Sequence, residues 1–164
     1  MAELTTIDEK LGEVIGLAMG AKTVTDAVGR LLDDPSMVSQ VQRMHDDAAK
    51  VEELGTELIS GEQYAGKKTA ILDKARETRQ EAVEMMKTYL GEDADGLDGF
   101  EFLTMAEAGE VGHWKVVEKL NEKLKDRDLQ ELIDFVVPLQ EKHLHMALAG
   151  SVELAGQEDP TAVG

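Results

Sequence analysis

Residues 103–117, with the sequence LTMAEAGEVGHWKVV, decide how this chain folds. At about 100° per residue, a helix over these residues has one apolar stripe, and two carboxylates, Glu107 and Glu110, lie inside it. An ionised carboxylate in a protein core costs several kcal/mol unless it is paired, protonated or bound to a metal ion. The sequence therefore predicts that other groups meet these two acids. The stripe consists of Leu103, Ala106, Glu107, Glu110, Trp114 and Val117.

A histidine follows the two acids at helical spacing. His113 lies three residues after Glu110, on the flank of the same face, and completes the pattern E-x-x-E-x-x-H. Iron, manganese and zinc all accept carboxylate and imidazole ligands. Gly109 and Gly112 weaken the helix on either side of Glu110, so we also expect close helix packing or a local bulge there.

The composition is that of a helical domain. The 164 residues are 42% hydrophobic and only 4% aromatic, with three prolines, which is enough chain for one domain with its own core. The absence of cysteine from the sequence excludes disulfides, thiolate catalysis, iron–sulfur clusters and cysteine-ligated zinc. A redox role would therefore need a metal ion or a bound cofactor.

The charge of the chain limits its partners. A formal net charge of −17 argues against nucleic acid and against anionic membranes, because both are bound through clustered Lys and Arg. The sequence also has no apolar run of about 18 residues and no basic and apolar N-terminal segment. We therefore expect a soluble, cytoplasmic protein that binds neither nucleic acid nor membrane.

Apolar periodicity and capping residues predict five helices. Residues 1–155 are expected to form a single bundle domain, and the small, polar tail 156–164 is expected to be disordered. Asp34 followed by Pro35 is typical of a helix start, and Asp98 is the predicted N-cap of the fourth helix. The third helix, with Met85 and Tyr89 on its apolar side, is expected to be a packing helix. The predicted helices cover about 7–32, 35–59, 67–90, 98–124 and 128–155.

One face of the first helix carries only small residues. Gly12, Gly16, Gly20, Thr23 and Ala27 form a ridge, in which each interior glycine costs about 1 kcal/mol relative to alanine. The ridge predicts that another helix approaches closely, either the chain's own third helix or a helix of a second copy. It is the basis for expecting a homodimer or a higher homo-oligomer. The opposite, inward stripe has no acid near its centre, and Glu13 only flanks it.

Two predicted hairpins, formed by the first two and the last two helices, carry the same short motif. Gln42-Arg-Met-His45 lies on the second helix and Gln140-Glu-Lys-His143 on the fifth, which indicates an internal duplication. With the buried acids of the fourth helix, this arrangement resembles the ferritin-like superfamily, where two antiparallel hairpins surround a di-iron centre. The helix order is closest to the YciF-like stress-induced proteins and more distantly similar to rubrerythrins.

The resemblance implies an all-α, ferritin-like four-helix bundle of two antiparallel hairpins with one extra connecting helix. It implies a metal site in which iron is the expected metal and manganese or zinc is the alternative. Members of the family with a complete set of ligands hold two iron ions. A redox-active site would handle oxygen or peroxide, in the manner of a ferroxidase or peroxidase, in a stress response. In this sequence glutamine stands at 140, where the family has glutamate. The candidate metal ligands are Glu107, Glu110, His113, Gln140, His143, His45 and Glu52.

A metal-free interpretation of the same residues also stands. In it, Glu107 and Glu110 are met by His143, His45 or Lys10 in a buried hydrogen-bond network that fixes helix register. The protein would then serve as a helical scaffold or an oligomeric interaction module. A hydrolase is not indicated, because the sequence contains neither a nucleophile elbow nor a glycine-rich phosphate loop.

Overall fold

The computed structural model describes residues 2–163, and within them the chain forms five α-helices, one short 3-10 turn and no β-strand. The predicted all-α class is confirmed, and every helix end falls within three residues of the predicted one. The helices are α1 (Thr6–Gly29), α2 (Pro35–Leu58), α3 (Lys68–Tyr89), α4 (Gly96–Leu124) and α5 (Arg127–Ala155), with the 3-10 turn at Glu62–Tyr64 between α2 and α3.

Side-chain caps set the helix starts. The Asp34 carboxylate accepts hydrogen bonds from the backbone N–H groups of Ser36 and Met37, and Pro35 is the first residue of α2, as predicted. The predicted N-cap of α4 was wrong. Asp95 is its N-cap, and Asp98 is the third helical residue, whose carboxylate accepts from the Asp95 N–H at 3.1 Å. The two aspartates form a reciprocal capping box, which favours the earlier start.

Four of the helices surround the core and the fifth lies outside. The α1 helix contacts α2, α3 and α4, and α5 contacts α4 and α2, so that α1, α2, α5 and α4 form a closed ring of neighbours. Trp114 of α4 is among the largest fully buried side chains of this core. The ring brings α2, α4 and α5 into mutual reach, and these three helices supply the candidate site.

The small-residue ridge of α1 is the contact surface for α3. A Cβ atom on Gly12 would lie 2.8 Å from the Cβ of Lys74, and one on Gly16 would overlap the carbonyl oxygen of Ala75. Real Cβ atoms do not approach other heavy atoms that closely, so the glycines permit the contact. Of the two predicted partners for the ridge, the chain's own third helix is therefore the one observed.

The outer part of α3 is less buried than its periodicity predicts. Ile71, Ala75 and Thr78 are buried against α1, but Met85 is 61% exposed and Tyr89 is 42% exposed. The predicted apolar side of α3 is therefore buried only in part. Within residues 2–163, α1 is the only helix that contacts α3 extensively, so only a narrow stripe of α3 is covered.

The two glycines beside Glu110 do not mark close packing. The α4 helix is continuous through Gly109 and Gly112, and a Cβ on either would meet no atom of another helix among residues 2–163 within 4 Å. The expected bulge or tight contact was wrong because both glycines lie on the exposed side of α4. The absence of side chains there instead leaves open space beside Glu110.

Two further features concern the apolar character of the helices and the C-terminal residues. Within residues 2–163, no helix combines the length and the apolar character that crossing a membrane requires. Residues 156–163 are exposed, and a turn there is held by the Asp159 carboxylate, which accepts from the backbone N–H of Thr161 at 2.9 Å.

Candidate functional site

Glu107 and Glu110 are buried in the helix ring, as their place in the apolar stripe predicted. Only 2% of Glu107 and 3% of Glu110 is exposed. The side-chain amide of Gln140, on α5, donates a hydrogen bond to Oε2 of Glu110. Oε2 of Glu107 is buried and has no hydrogen-bond partner among residues 2–163. One acid therefore has an amide partner, and the other has a buried oxygen that makes no hydrogen bond within residues 2–163.

His143 connects three helices at this point. The imidazole is 4% exposed, and its Nδ1 lies 3.6 Å from Oε2 of Glu107 on α4. Its Nε2 lies 2.9 Å from Oδ2 of Asp47 on α2. Both ring nitrogens therefore face carboxylates. We call the group of Asp47, Glu107, Glu110, Gln140 and His143 the carboxylate–histidine cluster.

The surroundings raise the pKa values of two members of the cluster. Burial raises the pKa of Glu110 well above its ordinary value of 4.5, and the neighbouring charge of Glu107 raises it further, against the hydrogen bond from Gln140. Burial lowers the pKa of His143, but the carboxylates of Glu107 and Asp47 outweigh burial, so that its pKa lies above the ordinary 6.5. Without a bound cation, the cluster therefore favours a protonated Glu110 and a charged imidazolium.

Three of the candidate ligands lie outside the cluster, and His113 is the clearest case. Its side chain is 40% exposed, its Nδ1 is 2.8 Å from the carbonyl oxygen of Gly109, and its Nε2 is 3.6 Å from a carboxylate oxygen of Glu13 on α1. The flank position that suggested a ligand places the imidazole beside Glu13 of α1. His113 is therefore a surface histidine near Glu13.

His45 and Glu52 form a separate polar group between α1 and α2. Nε2 of His45 lies 3.5 Å from Asp26, and Glu52 is paired with the Lys22 ammonium. These two α2 residues share one edge of their helix, as the sequence indicated, but that edge faces the polar side chains of α1. Neither is a member of the cluster.

Asp47 belongs to the cluster, and the sequence interpretation missed it. It lies three residues after Met44 and four before Val51, both of which are buried in α2. This position on the flank of the stripe was the available signal, but the metal-ligand prediction went instead to His45, two residues earlier. Lys10, one of the proposed partners of the buried acids, pairs with Glu13 at 2.6 Å.

Among residues 2–163, no three His, Asp or Glu side chains converge in an arrangement that would already hold a metal ion. His143 instead stands between two carboxylates. The arrangement can share protons between carboxylates and an imidazole, and it can bind a cation if the side chains turn towards a common point. Comparisons with protein-family models, curated proteins and solved structures found no match to this chain.

Proposed function

We propose that this protein is a metal-binding helical bundle that holds one divalent transition-metal ion, with iron(II) as the leading ion, in the carboxylate–histidine cluster. The observation that carries the proposal is the buried Oε2 of Glu107, which has no hydrogen-bond partner among residues 2–163. It lies beside a second buried carboxylate and 3.6 Å from an imidazole nitrogen. A buried oxygen without a partner is costly, and a cation would satisfy it.

The chemistry of the donors supports this choice of ligand. Asp47, Glu107 and Glu110 supply carboxylates and His143 supplies an imidazole, a mixture that suits iron, manganese and zinc. With the carboxylates ionised and the imidazole neutral, the group carries three formal negative charges in a site of low dielectric constant. A divalent cation offsets most of that charge, and it competes with protons for the same oxygens. We therefore expect tighter binding as the pH rises.

The donor set suits one ion better than two. A di-iron centre in a ferritin-like bundle uses about four carboxylates and two histidines, contributed by four helices. Here the cluster has three carboxylates and one histidine, and within residues 2–163 α1 contributes none of them. His45 and Glu52 would have to leave Asp26 and Lys22 to complete a second half-site. We therefore propose a single-ion site in place of the di-iron centre that the resemblance implies.

A ferrous ion in this site would supply one-electron chemistry towards oxygen or peroxide, which is the stress-related role implied by the resemblance to the ferritin-like superfamily. The chain contributes the ligands and keeps three of them from bulk water, since Glu107, Glu110 and His143 are all less than 5% exposed. A homodimer or higher homo-oligomer remains a prediction. The glycine ridge no longer argues for it, because α3 covers the ridge.

A second candidate function is favoured by one specific observation. Both ring nitrogens of His143 face carboxylates, and the Gln140 amide donates to Glu110, so the cluster also forms a network without metal. Such a network fixes the register of α2, α4 and α5, since one buried polar mismatch would leave several groups unsatisfied. In that case the protein is a helical scaffold or interaction module.

Metal analysis separates the two functions. We would load the purified protein anaerobically with iron(II), remove loosely bound metal, and measure iron by elemental analysis beside the melting temperature. The matched variants are Glu107→Gln, in the cluster, and Glu101→Gln, on the exposed face of the same helix. We expect about one iron per chain in the wild type and in Glu101→Gln, and loss of that iron in Glu107→Gln.

The remaining outcomes decide against the metal site. Wild-type protein that retains no iron, manganese or zinc, and whose melting temperature is unchanged by each ion, would overturn the proposal and favour the scaffold. Equal iron retention in both variants would show that the ion binds elsewhere. Circular dichroism of each variant establishes that a lost ion does not reflect a lost fold.

A further inference from the structure

A cavity borders Glu110 in a groove between α1, α3 and α4. Its volume is about 270 Å³, slightly below the roughly 300–1,000 Å³ of pockets that hold drug-sized ligands. Its walls are mostly apolar and include Leu17, Val24, Phe102 and the partly exposed Met85 and Met105. A cavity of this size and lining suits a molecule smaller than a typical drug.

The groove has one buried hydroxyl that nothing in the described chain satisfies. Thr78 of α3 lines the cavity and is 7% exposed, and its Oγ1 is buried with no hydrogen-bond partner within residues 2–163. A helical threonine often bonds the carbonyl oxygen four residues earlier, as Thr88 does with Glu84 at 3.0 Å. Thr78 makes no such bond, so its hydroxyl keeps an unused hydrogen-bonding capacity at the wall of the groove.

The charges around the groove restrict the class of ligand that it can bind. Its lining includes three titratable side chains, the carboxylic groups of Glu81 and Glu110 and the imidazole of His113, in a protein whose formal net charge is −17. An anionic ligand such as a fatty acid would be repelled by this field. A permanently cationic ligand would lose its hydration against mostly apolar walls. The lining therefore favours a neutral molecule with one hydrogen-bonding group.

We propose that the groove binds a small, neutral amphiphile, of the class of medium-chain alcohols, with its polar group on Thr78 and its apolar part against Met85, Met105 and Phe102. Gly109 borders this space, and a Cβ there would meet no atom of another helix among residues 2–163 within 4 Å. This inference does not depend on metal binding, although Glu110 borders both sites.

The test is a titration with 1-octanol, followed through the ¹³C-labelled methyl groups of the methionines. We expect the Met85 and Met105 signals to shift in a saturable manner, while those of Met37 and Met44, buried on α2, do not. Octanoate, which has the same chain length and a negative charge, is expected to bind at least about tenfold more weakly. Methionine signals that do not respond to 1-octanol would overturn the proposal.

Two matched pairs of variants locate the ligand. Thr78→Val removes the hydroxyl and keeps the branched shape, and should weaken 1-octanol binding about three- to tenfold, whereas Thr88→Val should leave it unchanged. Gly109→Phe fills the cavity and should abolish binding. Gly112→Phe is the control, because Gly112 is also an exposed α4 glycine but does not line the cavity.

Two further results would contradict the assignment. Equal effects of Gly109→Phe and Gly112→Phe would show that the helix was disturbed and that the groove was not the binding site. Concentration-dependent methionine shifts without any ligand, accompanied by a dimer in sedimentation, would show that a second copy of the chain occupies the groove.

Discussion

Asp8 and Glu110 are both buried acids, but they accept hydrogen bonds from different kinds of donor. Asp8 is 2% exposed and lies in the first turn of α1. Its Oδ2 accepts hydrogen bonds from the Thr5 backbone N–H at 2.8 Å and from the Lys67 ammonium at 2.7 Å. Glu110 is 3% exposed in the middle of α4, and its hydrogen bond comes from the neutral amide of Gln140.

The pKa values of the two carboxyl groups move in opposite directions. Burial raises the pKa of Asp8, but the hydrogen bonds from Lys67 and Thr5 outweigh burial and hold it below the ordinary 3.8. Burial and the charge of Glu107 raise the pKa of Glu110 far above 4.5. A carboxylate at a helix N-terminus lies near backbone N–H groups that have no partner within the helix. Asp8 accepts a hydrogen bond from such a group at Thr5 and another from Lys67. A carboxylate at mid-helix meets neither, so it must hold a proton or a cation.

The largest expected effect on stability comes from removing the imidazole of the carboxylate–histidine cluster. His143→Leu leaves Glu107 buried without a cationic partner, which should lower the free energy of unfolding by about 3–5 kcal/mol at neutral pH. Urea denaturation measures this. His145→Leu, at an exposed position two residues along α5, is the control and should change stability by less than about 0.5 kcal/mol.

The double variant Glu107→Gln/His143→Leu tests the cause. It should be more stable than His143→Leu alone, because the uncompensated buried charge is gone. If the double variant is less stable than the single one, the loss in His143→Leu arises from packing and not from the charge of Glu107.

The corresponding change at the bundle end should cost less. Lys67→Met removes the ammonium from Asp8, but Thr5 still donates two hydrogen bonds, and the lysine side chain is 32% exposed. We expect a loss of about 1–3 kcal/mol, read from urea denaturation at neutral pH. Lys68→Met, one residue along and exposed, should behave as wild type.

The sign of the pH dependence identifies the Asp8 contribution. Since the pKa of Asp8 is lowered on folding, its stabilisation is present above 3.8 and is lost as the pH falls through the folded value. Lys67→Met should therefore show a smaller loss of stability on acidification than wild type. The same acid dependence in wild type and variant would remove Lys67 from the explanation.

The sequence predicted the faces of the helices better than their contacts. Periodicity placed Glu107 and Glu110 inside the stripe of α4, and both are buried. It gave no information on which helix stands opposite, so Asp47 was missed and His113 was included. Asp8 was missed for a related reason: it lies beside the apolar stripe of α1, and the lysine that lets it be buried is 59 residues away in sequence.

A smaller effect, visible mainly in its pH dependence, is expected for Glu110→Gln. Glutamine resembles a protonated glutamate and can still accept from Gln140, so in mild acid its stability should lie within about 1 kcal/mol of wild type. The pKa of Glu110 is raised on folding, so its stabilisation is present below 4.5 and is lost as the pH rises through the folded value. The variant should gain on wild type with rising pH in urea denaturation, and parallel curves would contradict a protonated Glu110.

The smallest effect should come from Asp47, because it lies where the cluster reaches solvent. Its side chain is 41% exposed, and water screens its interaction with His143, so Asp47→Asn should lower the free energy of unfolding by about 0–1 kcal/mol. Asp46→Asn, at the neighbouring exposed position, is the control in the same urea measurement. A loss for Asp47→Asn as large as that for His143→Leu would mean that the buried imidazolium depends on the outer carboxylate more than on Glu107. The stability of the cluster would then depend mainly on a carboxylate at the surface, and not on the buried carboxylate of Glu107.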